Sequence, residues 1–307
     1  MASYLVISEH HKRVGAPPSG LFFNKLMSLL HTNLLKENID IKLPHCWYRY
    51  GDEVVRYLMP YPLEWNHEDV SKTTVDWNGP MPATLDEDVF TEALRGQVLS
   101  LVGRYTKDYT VEDAVREVYL NAPFEFQRRY RNLRRLMHDP NPAGQDQYNG
   151  QCMEAMKASF EVFPAGEFPD ITEQAGIVEH ALEESFTSPA PDLPLITELS
   201  DEFWNWFCYF LRLHPDGHQN VPRETLEYWQ DELEDRTRQF EHMLGDHLLR
   251  LSEENLALEK DELFEPVIQK RRKELEEYKS LVDGIRDDFE GFDAFLADVK
   301  KSFKPRR

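Results

Sequence analysis

Cysteine is scarce in this chain of 307 residues. Cys46, Cys152 and Cys208 lie far apart and form neither a CxxC pair nor a disulfide framework. Glycine is sparse as well, with 14 residues, and no GxGxxG or P-loop pattern is present to cradle a phosphate. The nucleophile elbow GxSxG and the zinc motif HExxH are missing too. No apolar run reaches the ~18 residues that a membrane-crossing helix needs. The apolar stretch within Met1–His11 is too short for a secretory signal. These absences lead to the expectation of a cytoplasmic protein without a membrane span, metal centre or cofactor.

What is present is enough to build cores. Hydrophobic residues make up 41% and aromatics 12% of the chain, too much for a disordered polypeptide. The length predicts about two domains. The net charge is −21, and it is unevenly spread. Residues 1–62 are net +2, 63–149 net −5, 150–220 net −11 and 221–307 net −7. A mildly basic head thus precedes an acidic body. Two explanations stay open: a basic partner, or solubility in a salt-rich cytoplasm of the haloarchaeal type. Arg outnumbers Lys by 21 to 14, in keeping with the halophile reading.

The pattern predicts a mainly α protein. Residues 1–18 read as an irregular arm. Phe22, Phe23, Leu26, Leu29, Leu30 and Leu34 recur at helical spacing. Gly51–Leu58 reads as a short helix, and 63–83 as a loose hairpin or wing. Capping boxes at Thr84–Glu87 and Thr110–Asp113 open two further helices. Pro123 starts another, 150–162 forms the next, and Asp170–Glu173 caps one more. Ser188–Pro194, with three prolines, is the best linker. Beyond it, Phe203–Leu211 is aromatic nearly all round, which suits a buried helix or the centre of a dimer interface. Pro222 opens a long helical tract, followed by helices at 267–283 and 285–302. The expected organisation is a winged-helix-like or small helical head at 1–83, a helical domain at 84–187 and an antiparallel helical bundle at 197–307.

The head carries the most specific local pattern. Lys25-Leu26-Met27-Ser28-Leu29-Leu30 lies on a helix, and His45-Cys46-Trp47-Tyr48-Arg49-Tyr50-Gly51-Asp52 follows. This combination resembles Panacea-type and related winged-helix-like domains over about residues 19–62. Those domains occur in toxin–antitoxin and regulatory proteins, so the resemblance implies a regulatory role and brings no catalytic residues. Asp52 stands where that pattern usually has proline. Read from the residues alone, Lys25, Lys42, Arg49 and Arg56 could face DNA phosphates, with Tyr48 and Tyr50 against sugars or bases. The alternative keeps the tyrosines in the core and the cations as ordinary surface.

Arg128, Arg129, Arg131, Arg134 and Arg135 form the densest basic cluster and mark an expected charged interface. They suit either phosphate or intramolecular carboxylates. His45–Cys46 are adjacent and could act as a nucleophile pair only with tertiary help. Glu179–His180 lack the i, i+3 spacing of carboxylate-bridged di-iron sites. His214 with His218, and His242 with Asp246 and His247, supply too few converging ligands for zinc. The leading expectation is therefore a non-catalytic, dimeric, DNA-binding or regulatory protein. A protein-interaction module without nucleic-acid contact, antitoxin-like or chaperone-like, is the second. An enzyme with a dispersed site is the third.

Overall fold

Nine α-helices and five short strands, followed by a tenth helix at 265–282, make up the regular structure of the described residues. The computed structural model describes residues 1–59, 63–67, 73–78, 89–107, 110–138, 145–188 and 192–282. The protein is mainly helical, as the periodicity predicts. Two compact units partition it, Met1–Phe240 and Glu241–Arg307. Residues 1–83 and 84–187 therefore lie in one unit, and this division differs from the three segments expected.

The first helix, α1 (Ala2–Val14), replaces the expected irregular arm. Its buried side includes Ser3 and His10 beside Val6 and Ile7, so the apolar period is too broken to be read from the sequence. Gly15 ends it in the left-handed region at φ 79°, donating its N–H to His11 O. Ser19 caps α2 (Gly20–Lys36) by accepting from Phe22 N. Leu26, Leu30 and Leu34 on α2 are fully buried.

A hairpin follows, β1 (His45–Tyr48) and β2 (Gly51–Val54), with Arg49-Tyr50 at its tip. The expected helix at 51–58 is instead this strand and a 3₁₀ turn at Arg56–Leu58. Cross-strand pairing and the β-branched Val54 and Val55 favour extension there. Gly51 adopts φ 96°, and a Cβ on it would lie 3.0 Å from the Tyr119 ring. A second hairpin pairs β3 (Leu63–His67) with β4 (Thr73–Trp77), within the 63–83 stretch read as a loose hairpin or wing. Ser19 bridges to Thr74, which ties this hairpin to the start of α2.

The helices α3 (Val89–Lys107), α4 (Val111–Leu120), α5 (Glu125–His138), α6 (Gln145–Phe160), α7 (Thr172–Thr187) and α8 (Leu193–Leu213) follow. Thr110 and Asp113 form the predicted capping box of α4. The box expected at 84–87 lies outside the described residues. A 3₁₀ turn at Pro169–Ile171 precedes α7, whose N-cap is Ile171 without a side-chain cap, so Asp170 does not cap it. Asp192 caps α8 by accepting from Leu195 N, and Pro194 sits in its first turn.

The expected aromatic core helix is present in α8. Phe203, Trp204, Phe207 and Cys208 are fully buried. Tyr130 stacks on Trp204 with centroids 5.7 Å apart, and Phe126 meets Phe207 edge-on at 5.1 Å. Phe160 and Phe168 close the cluster from α6 and from the turn before α7. Such ring pairs contribute about 0.5–1.5 kcal/mol each beyond their burial.

The body is not wholly helical. After α8 the chain turns through Pro215–Gly217 into β5 (His218–Gln219), which pairs antiparallel with β1. The sheet order is β2-β1-β5, so a strand some 170 residues downstream completes the head. Helix α9 (Arg223–Glu254) then follows. In the second unit, Leu248, Phe264 and Ile268 are buried. Arg271, on α10 (265–282), holds Asp246 through two hydrogen bonds of 2.8 and 2.9 Å. The helix expected at 285–302 lies outside the described residues.

Gly217 sets the entry to β5. A Cβ there would lie 1.6 Å from Leu211 O, so no larger residue fits without backbone movement. Gly217→Ala is expected to cost at least about 2 kcal/mol, at the level of overpacked interiors. Urea unfolding checks this; a change within ~0.5 kcal/mol would show that the turn yields freely.

Candidate functional site

Polar side chains are concentrated where the sheet β2-β1-β5 meets α2. Asp52 on β2 is 5% exposed. Its Oδ2 accepts from Ser28 Oγ at 2.6 Å, and its Oδ1 lies 2.7 Å from His45 Nδ1. Lys25, fully buried on α2, donates from Nζ to the Asp52 carbonyl at 2.9 Å. Gln219 on β5 places Oε1 at 3.1 Å from both His45 Nε2 and His31 Nε2. The two imidazoles meet edge-on, 4.9 Å apart. Four segments, α2, β1, β2 and β5, therefore share one hydrogen-bonded clasp.

Local folding explains the arrangement. Lys25, Ser28 and His31 recur at three-residue spacing and so share one side of α2. Asp52 and His45 come from the two strands of one hairpin, and β5 pairs with the outer side of β1. The clasp forms one wall of a cleft of about 370 Å³ that is also lined by Lys36, Trp47 and Asn121. A second cavity of about 300 Å³ is lined mainly by apolar side chains, Met27, Leu43, Met59 and Trp77 among them. The acid–base groups lie in the first.

The electrostatics follow from burial. Burial alone would lower the His45 pKa, but the charge and hydrogen bond of Asp52, with the Gln219 contact, raise it above its ordinary value. Burial lowers the His31 pKa, and neighbouring His45 lowers it further. Lys25 is also pulled down by burial, against the opposing charges of Glu53 and Asp52. Burial pushes Glu53 up, with Lys25 and Arg56 pulling the other way. His45 and Cys46 do not work as a pair. Adjacent strand residues face opposite sides, both His45 nitrogens are engaged, and burial drives the Cys46 thiol up.

The residues expected to meet phosphates are placed differently from one another. Lys25 presents no charge to the surface, because its ammonium is buried and bonded. Lys42 is exposed and paired with Asp40 at 2.6 Å. Arg49 is half-buried with its guanidinium over the Tyr50 ring at 5.3 Å, and its carbonyl accepts from Trp204 Nε1 at 2.8 Å. Arg56 is exposed and stacked on Trp65 at 3.8 Å. Tyr48 donates its hydroxyl to Tyr209, and Tyr50 is half exposed. Of the α5 arginines, Arg129 pairs with Glu125 at 2.6 Å and Arg134 with Asp201 at 2.7 Å. Arg131 pairs with Glu112 and lies over the Tyr119 ring. Arg135 meets the Asn132 side chain, and Arg128 is exposed. The two sets approach one another at Trp204, whose ring lies 5.8 Å from the Arg134 guanidinium and whose Nε1 bonds the Arg49 carbonyl.

Sequence reasoning missed Ser28, His31, His45, Asp52 and Gln219 as a group. The only signal was Asp52 in place of a proline. Among the described residues there is no group of three or more His, Cys, Asp or Glu side chains that could hold a metal ion. No described helix is long and apolar enough to cross a membrane.

The raised His45 pKa has a signed consequence. The stability it contributes is complete below its ordinary value of about 6.5 and is lost as pH rises through the raised folded value. Asp52→Asn removes the counter-charge and is expected to cost about 3 kcal/mol near pH 6. The cost should be smaller near pH 8, where His45 is more often neutral. Urea unfolding of both proteins at the two pH values checks this; equal losses at both would count against the ion pair.

Comparison with protein-family models, curated proteins and solved structures found no match to this chain.

Proposed function

We propose that the protein is a non-catalytic regulatory protein that works through protein contacts, its acidic surface facing a basic partner, rather than through duplex DNA. The fate of the basic side chains carries this reading. Phosphate binding by counterion release needs several cations free to face the backbone. Here Lys25 is buried, Lys42 is paired, Arg56 is stacked on Trp65, and Arg129, Arg131 and Arg134 hold carboxylates of their own chain. The exterior is left dominated by carboxylates in a chain of net charge −21. Glu154, Asp170 and Glu173 are among the exposed ones in the most acidic stretch.

A non-catalytic role is favoured by the clasp itself. Both oxygens of Asp52 and both nitrogens of His45 are engaged with protein groups, as suits a structural clasp. The winged-helix-like reading of the head draws on α2 and the β3–β4 hairpin, and suits a regulatory protein. The acidic surplus would also keep the chain hydrated in a salt-rich medium.

Fluorescence anisotropy of the full chain distinguishes the partners. A labelled duplex and a labelled arginine- and lysine-rich peptide are titrated from about 0.05 M to about 1 M KCl. Binding is expected for the peptide alone, weakening as salt rises. Replacing Glu154, Asp170 and Glu173 by Gln should weaken it further. Duplex binding that is lost in Arg49→Ala/Arg56→Ala would overturn the reading, as would failure of the peptide to bind at low salt.

A further inference from the structure

The clasp leaves one atom unsatisfied. A carbonyl oxygen only accepts, so Gln219 Oε1 at 3.1 Å from both Nε2 atoms places a hydrogen on each. In its protonated form, which Asp52 at Nδ1 favours, His45 donates from both nitrogens. That charge in turn favours the oxygen end of the Gln219 amide facing it. His31 is 1% exposed. Burial and the neighbouring imidazolium keep it neutral, with its single hydrogen on Nε2. Its Nδ1 is then a bare lone pair, buried and without a hydrogen-bond partner. Leaving such an acceptor unmet is unfavourable.

His31 lines the cleft of about 370 Å³, with Lys36 and Thr32 beside it on α2. The titratable and charged side chains lining it are His31 itself, His45, Asp52 and Lys36. Asp52 on β2 is engaged on both oxygens by Ser28 and His45. Asp40, in the loop after α2, is held by Lys42 at 2.6 Å. Lys25 on α2 is tied to the Asp52 carbonyl and opposed by the charge of Glu53 on β2. On α4's side, Asn121 donates to the Glu117 carbonyl, and β5 contributes the Gln219 amide. Lys36 is exposed at the rim.

We propose that this cleft binds a small anion, a carboxylate or a phosphate group, and that His31 takes up a proton from solvent at Nδ1 to donate to it. The anion would supply the counter-charge that a second imidazolium beside His45 lacks, and the proton would turn the unmet acceptor into a bonded donor. Lys36 adds charge at the mouth. Binding and proton uptake are then one event, so by linkage the affinity rises as pH falls. This inference stands on the cleft alone and is independent of the partner reading above.

The test uses the full chain with acetate and with sulfate, a phosphate mimic, because both keep their charge above about pH 5.5. Imidazole ¹H–¹⁵N spectra follow His31 directly, and calorimetry gives the affinity. Saturating anion is expected to raise the His31 pKa. Affinity should increase up to about tenfold for each unit of pH lowered between the free and bound values. Lys36→Gln, at the exposed rim, should weaken binding several-fold with the fold intact. His31→Gln should remove the pH dependence if it folds. The relative affinities for acetate and sulfate tell a carboxylate site from a phosphate site. His31 resonances that do not respond to either anion near pH 5.5, or binding that does not change with pH, would overturn the proposal.

Discussion

Burial of charge at the β1–β2 hairpin is the constraint on which the head depends. Lys25, His45 and Asp52 are removed from water together, and each is tolerable only because of the others. A buried ion pair adds little stability over an apolar replacement, yet removing one partner is severe. Its effect here is to specify geometry. Asp52 must meet Ser28 and His45 at once, which fixes the hairpin against α2. Gln219 must then reach both imidazoles, which fixes β5 against β1.

The aromatic cluster around α8 does a different job. Rings from α5, α6, the turn after α6 and α8 interlock at centroid distances of 5.1–6.4 Å around Phe126. Their burial supplies apolar area but little direction, because a ring edge accepts many neighbours. Direction comes from single polar atoms at the margin. Tyr130 Oη contacts Ser200, and Trp204 Nε1 donates to Arg49 O, joining α8 to the hairpin tip. Arg212 on α8 also lies over the Tyr48 ring of β1 at 5.5 Å. It is buried, lies over the rings of Tyr209 and Trp229, and pairs with Glu232.

Charge is handled on two scales. Inside the first unit, Lys42, Arg129, Arg131 and Arg134 hold nearby carboxylates and Arg56 lies over an aromatic face, while Lys36 and Arg128 stay exposed. Outside, the surplus of carboxylates remains, and it gives the chain its net charge of −21. A basic head read from counting therefore does not become a basic surface. Counting records formal charge, whereas recognition depends on which charges water and partners can reach.

The sequence by itself determined the helical class, most helix positions, the second hairpin and the buried aromatic helix. Hydrophobic period and caps are local properties, so Leu26, Leu30 and Leu34, or the Thr110 box, are legible without tertiary knowledge. Helix α1 was hidden because Ser3 and His10 occupy its buried side, and β2 because Gly51–Leu58 also fits a helical period. Only the tertiary structure decided the clasp. Its members stand at 25, 28, 31, 45, 52 and 219, and no local rule joins residue 219 to residue 45. A lone histidine in a chain reads as neither ligand nor base. It acquires a character only when a carboxylate, a second imidazole and the loss of water are imposed on it from distant parts of the fold.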